Sequence, residues 1–377
     1  MKDLPLPRRQ SQSPAGIDSS AEQPDLAPVL QGILDDAVAS GEECGCQLTV
    51  FRHGRLVARL CAGFADAACT RPVTTETLFP IFSVGKGVMA TAFHRLVEDG
   101  LISYDTRVAE VWPEFGGQGR DDIRVWQVLS HRTGMHLAPP TKDWAEMADW
   151  DEMCRRLTTM APAVPPGGKC CYQGLTYAWL LGETAGRVAG KHFQQVMQEQ
   201  VIAPLGLEDE MMFGLPAAAE ERCAGLDGTA FAQGPQWAEA FLDREAVRRG
   251  FIPSANGFAT ATALARHYAA LLSGGDGVQL LTSATLDRAT VLRRHADDPI
   301  PPGGCWNKFG LGYVLAGPED DLGRTFGHGG AGGSEGLADR KTGLALGFTK
   351  NKLSPRHPDH PVRDRISRVL GLTPRHW

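Results

Sequence analysis

Strand-like alternation in this chain of 377 residues lies near its two ends, and the stretch between reads mostly as helix. Residues 47–51 and 55–60 alternate around Arg52, His53 and Gly54, the pattern of a β-hairpin with a glycine turn. Much later, residues 309–316, 324–329 and 343–350 read as short strands. Strands must satisfy their backbone groups by pairing, so a sheet made from these segments draws on both ends of the chain. Helical spacing joins Leu26, Val29, Leu30, Ile33, Leu34, Ala37 and Val38, with Asp25 as a cap and Gly41 as a stop. It also joins Met89, Phe93, Leu96 and Val97 within 83–99, and Val362, Ile366, Val369 and Leu370 near the end. The order predicts an α+β fold, an antiparallel sheet flanked by N- and C-terminal helices with a mostly α-helical insertion. The expected division is a flexible leader at 1–24, a sheet domain from 25–104 and 251–377, and a helical domain at 105–250.

Composition enters by what it excludes. With 38 Lys and Arg against 44 Asp and Glu, the net charge is −6, so a basic nucleic-acid footprint is not expected. No apolar stretch follows Arg8 and Arg9 within residues 1–20, and no run of about 18 apolar residues occurs anywhere, so neither a secretory signal nor a membrane span is expected. The nine cysteines are irregularly spaced, with no C-x-x-C pair. Reduced thiols and a cytoplasmic protein are the expectation. His131 and His136 lack companion ligands at a zinc-like spacing, so no metal is expected.

Two serine motifs compete. Gly332-Gly333-Ser334-Glu335-Gly336 matches the nucleophile elbow G-x-S-x-G, which works only as a sharp turn from strand into helix. The residues after Ser334 instead read as a hairpin turning at 340–343, which is the wrong context. Ser83-Val84-Gly85-Lys86 opens a helix, where spacing of i and i+3 sets an amine within reach of a hydroxyl and the helix dipole favours a developing alkoxide. A desolvated lysine can act as the base such a serine requires. Fourteen serines and nine lysines would yield about 0.3 such pairs by chance, so the motif gains weight only from its company.

That company is Leu129-Ser130-His131-Arg132-Thr133-Gly134, then Tyr172-Gln173-Gly174, then His328-Gly329-Gly330, in that order, with 252–260 and 309–312 beside them. With these motifs the chain resembles the serine β-lactamase and penicillin-binding protein superfamily over roughly residues 26–370. The likeness is nearest to the class C-like branch of family VIII carboxylesterases and related transesterases.

The resemblance implies that Ser83 becomes the acyl-serine, that Lys86 shuttles its proton or holds a tyrosinate, and that Tyr172 serves as general base and then acid. His328, Gly329 and Gly330 would line the substrate, and the backbone N–H groups of Ser83 and Ala331 would form the oxyanion hole. Trp144 is a candidate wall of the substrate pocket. No cofactor is implied. Two departures from the family pattern bear on substrate: Gly174 replaces the Asn of Tyr-x-Asn, and His328 replaces the Lys of Lys-Thr-Gly. Both point away from β-lactams or peptides and toward neutral esters. The expected activity is a carboxylesterase on small-molecule esters. An acyltransferase to an alcohol or amine, a β-lactamase or amidase, and a catalytically silent binding protein are the alternatives.

Overall fold

In the computed structural model, which describes residues 26–228, 241–272, 277–293, 298, 308–353 and 361–373, the two chain ends build one sheet. The hairpin forms as β1 (Gly45–Arg52) and β2 (Arg55–Gly63). Its two-residue turn takes positive φ at both His53 and Gly54, the geometry that matches the right-handed twist of paired strands. Short strands β3 (Phe79–Pro80), β4 (Met211–Phe213) and β5 (Gly257–Ala259) follow, then β6 (Val314–Ala316), β7 (Thr325–Gly329), β8 (Glu335–Asp339) and β9 (Leu344–Lys350). The main sheet has the order β2-β1-β9-β8-β7-β6, antiparallel at every step, with Leu48 opposite Phe348. Both the α+β class and the sheet built from two chain ends follow the expectation.

Helices cover both faces of this sheet. On one side lie α1 (Ala27–Ala39) and, from the far end of the chain, α11 (Pro361–Leu370), packing Leu30, Leu34, Val362 and Ile366 onto Leu48, Val50, Leu346 and Phe348. Between them the chain runs through α2 (Gly85–Glu98), α3 (Val108–Val111), α4 (Val125–Leu129), α5 (Trp150–Leu157), α6 (Thr176–Ala189), α7 (Phe193–Met197), α8 (Glu245–Arg249), α9 (Ala261–Leu272) and α10 (Ser283–Ala289). Helix α9 lies on the other face so closely that a Cβ on Gly347 would stand 2.1 Å from the Ala261 carbonyl oxygen. The polar side chains that β1 turns toward it are satisfied: Gln47 Oε1 accepts from Ala261 N, and the Thr49 and Thr262 hydroxyls lie 3.0 Å apart.

Three local expectations need correction. The strand expected over 309–316 is reduced to Val314–Ala316, because Gly312 at φ +85° turns the chain and Phe309 folds back to bridge Val314. A Tyr172-Gln173-Gly174 motif that opens the helix through 175–181 would set the tyrosine in its first turn, yet α6 starts at Thr176 and Tyr172 lies in the preceding loop. The region read as helical contributes a strand, β4, to a second sheet of order β3-β5-β4. The leader at 1–24 and the cap at Asp25 lie outside the described residues.

Candidate active site

Ser83 occupies one turn of 3₁₀ helix, Phe82–Val84, that runs directly into α2. Buried Phe82 sits at φ +46°, a left-handed backbone that costs a bulky residue about 1–3 kcal/mol and persists only where neighbours hold it. The holding contacts come from two sides. A Cβ on Gly85 would fall 2.2 Å from the Pro253 carbonyl oxygen, and one on Gly330 would fall 2.3 Å from that of Ile81. The turn is thus pressed between the loop before β5 and the end of β7, and only glycine permits either approach.

Lys86 follows one helical turn later and is fully buried. Its Nζ lies 3.0 Å from Ser83 Oγ and donates to the Ser254 carbonyl at 2.8 Å. Burial pushes its pKa well below the ordinary lysine value. In its uncharged form the amine would keep an N–H on Ser254 and could turn its lone pair to Ser83.

The Tyr172 ring is the third member, its centroid 5.0 Å from Lys86 Nζ. Burial raises its phenol pKa above the usual value, and a hydrogen bond with Ser83 works weakly against that rise. Burial thus works against the charged form of both groups, the ammonium of Lys86 and the phenolate of Tyr172. Both directions run against an ammonium that keeps Tyr172 ionised, the second of the two roles expected of Lys86.

His328, on β7, faces Tyr172 with ring centroids 6.3 Å apart. Its Nδ1 lies 2.7 Å from the Gly329 carbonyl, which can only accept, so Nδ1 carries the proton. Nε2 is then a buried lone pair without a hydrogen-bond partner among the described residues. Burial, aided by Lys86, pushes the imidazole pKa down to about 3, so the ring is neutral. Gly329 and Gly330 are partly exposed and Ala331 exposed at the end of the strand, beside the turn that carries Ser83.

Two candidates stand apart. Trp144 is 37% exposed and packs edge-on against Phe241, with no ring contact or hydrogen bond to this group. Ser334 is fully buried in the turn between β7 and β8, its Oγ accepting from Lys350 N at 3.2 Å, which leaves nothing for an elbow nucleophile to reach. The site also holds members that the motif roles did not include: the Ser254 carbonyl, the Phe309 ring stacked on Tyr172 at 5.9 Å, and His131 at 4.7 Å. Segments 252–260 and 129–134 carried a family signal, but a carbonyl direction and a ring stack are not legible in residue types. Among the described residues no three His, Cys, Asp or Glu side chains group as metal ligands.

A family model described as Beta-lactamase matches residues 30–370. The chain is 33% identical over 344 residues to Esterase/beta-lactamase LipL of Mycobacterium tuberculosis H37Rv, a span of 82% of this chain and 77% of LipL. Among solved structures, a family VIII carboxylesterase superposes with a TM-score of 0.83 at 30% identity, over 92% of this chain and 97% of that one. A penicillin-binding protein homolog from Caulobacter crescentus superposes with a TM-score of 0.77 at 35% identity, over 90% and 95%.

Proposed function

This chain belongs to the β-lactamase family of serine hydrolases, and on that premise we propose that it is a carboxylesterase that cleaves small neutral esters through an acyl-enzyme on Ser83. The observation that carries the reading is Lys86, fully buried, with no carboxylate paired to it among the described residues and its Nζ 3.0 Å from the serine oxygen. The neutral amine takes the Ser83 proton as Oγ attacks the ester carbonyl carbon. Tyr172 gives its proton to the departing alkoxide and regains one from Lys86, so an alcohol leaves and the acyl-serine remains. Water attacks in the second half, its proton passing through Tyr172 and Lys86 back to Ser83 as the acid is released. The backbone N–H groups of Ser83 and Ala331 are assigned to the oxyanion, where removing one donor typically costs about 10²–10³-fold in rate.

The ester preference rests on His328 and Gly174. A neutral imidazole with a buried lone pair offers a substrate carboxylate no cation, and Gly174 offers no side-chain amide. A cytoplasmic setting belongs to the same reading and is supported by Cys44, Cys46, Cys61, Cys69, Cys154, Cys170, Cys171 and Cys223, all free thiols.

A fluorophosphonate probe tests the nucleophile. The adduct, mapped by peptide mass spectrometry, is expected on Ser83 alone; an adduct on Ser334, or one that survives in Ser83→Ala, sinks the assignment. Substrate preference has its own test. A Cβ at Gly174 meets no atom within 4 Å, so Gly174→Asn fits without a clash. One added hydrogen bond is worth about tenfold, so nitrocefin acylation is expected to rise by about that factor, with p-nitrophenyl butyrate turnover within about twofold. An unchanged nitrocefin rate would mean that the absent amide is not what disfavours β-lactams.

A further inference from the structure

The segment Leu129–Gly134, prominent in the sequence, takes no part in the chemistry above, yet its backbone runs beside the loop that carries Tyr172. Ala163 N donates to the Gly134 carbonyl at 2.9 Å, Gly167 N to that of Arg132 at 2.8 Å, and Cys171 N to that of His131 at 2.9 Å. Thr176 Oγ1, at the start of α6, donates to the Met135 carbonyl at 2.7 Å. One residue in the row does more than lend a carbonyl. The His131 Nδ1 accepts from Gln173 N at 3.1 Å, so the N–H groups of the residues before and after Tyr172 are both tied to His131. Its ring then packs against the Tyr172 ring, with centroids 4.7 Å apart at 49°, and is backed by Tyr177 at 5.0 Å and Phe309 at 4.4 Å.

We propose that His131 is the positioning residue of Tyr172, a clamp that fixes the two flanking N–H groups and one side of the phenol so that its hydroxyl stays on Ser83. The role needs a neutral ring of one tautomer, because Nδ1 must accept and Nε2 must carry the proton. Burial next to Lys86 and His328 keeps the imidazole far from protonation, in keeping with that need. The neighbour Arg132 reinforces the row: it pairs with Asp298, whose Oδ1 accepts from Cys170 N at 3.0 Å, two residues before the tyrosine. His131 also holds φ +59°, a backbone that asparagine tolerates better than most residues. That combination suggests the test.

The proposal rests on Tyr172 as the proton carrier. Asparagine sets an oxygen near the place of Nδ1, whereas glutamine sets its amide one bond further out. His131→Asn is expected to keep kcat for p-nitrophenyl butyrate within about threefold, and His131→Gln to lose about 10–10²-fold in kcat with KM little changed, the scale of a displaced catalytic group. If the glutamine variant does not fold, as judged by its melting curve, His131→Gly stands in for it, since glycine also accepts the positive φ and lacks the acceptor. Equal losses in the two variants, or a fully active His131→Gln or His131→Gly, would overturn the clamp. Failure of the underlying reading looks different: Tyr172→Phe would then turn over as fast as wild type, whatever happens at His131.

Discussion

Lys86→Met is expected to lower kcat/KM for p-nitrophenyl butyrate by about 10⁴-fold, the upper end for a positioned general base, and at pH 7 to raise the melting temperature. The two effects share one cause. A fully buried amine with no carboxylate paired to it among the described residues is pushed toward its neutral form, against its ordinary pKa near 10.4, and the folded protein bears that cost. Methionine fills similar volume with no proton to lose, though it leaves the Ser254 carbonyl without this donor. The sign of the pH dependence follows from linkage. Between the lowered folded pKa and the unfolded value, the unfolded chain binds the extra proton, so the wild type gains stability as pH rises through that window. The advantage of Lys86→Met is therefore expected to be largest near pH 7 and to shrink toward pH 10, as melting curves at several pH values would record. An active variant would remove Lys86 from the chemistry. A variant that loses activity and melts well below wild type at every pH would mean that the loss is structural.

Tyr172→Phe is expected to reduce kcat by about 10³-fold, within the usual range for loss of a proton-transfer group, with KM and melting temperature close to wild type. The ring contacts with His131, Phe309 and Lys86 do not need the hydroxyl, so the packing survives. What is lost is the proton for the leaving alkoxide. An ester with a good leaving group needs that proton less, so the deficit is expected to be larger for an alkyl butyrate than for the p-nitrophenyl ester. A deficit equal for both esters would assign Tyr172 to the deacylating water alone, and no deficit at all would exclude it.

The parts of the fold legible in the sequence were those whose side chains repeat at a regular period along their own length. The hairpin at 45–63, helix α2 and the last helix all announce themselves, because their apolar residues recur at strand or helix spacing over segments long enough to show it. The second sheet could not be read, since Phe79–Pro80, Met211–Phe213 and Gly257–Ala259 are too short to show a period and exist only through contacts with one another. Within the site, Ser83, Lys86 and Tyr172 were named by motif and do come together, whereas Trp144, chosen for its aromatic character, packs on Phe241 and makes no ring contact or hydrogen bond with them. His131 shows the limit from the other side: its motif was visible, but its contacts with Gln173 and Phe309 are made across 42 and 178 positions of chain. No local pattern encodes such contacts.

The sheet that joins the two chain ends also sets when this protein can first work during its own synthesis. Gly45 N donates to Asn351 Oδ1 across 306 positions, and the turn that carries Ser83 leans on Gly330. At about 5–20 residues per second, a ribosome needs roughly 12–50 s after making Lys86 to reach Gly330. Throughout that interval the serine and its lysine already exist, but the strand that would complete their pocket does not. The pocket is consequently incomplete until Gly330 and the strands after it have been made, and the site assembles at a single late event, closure of the sheet.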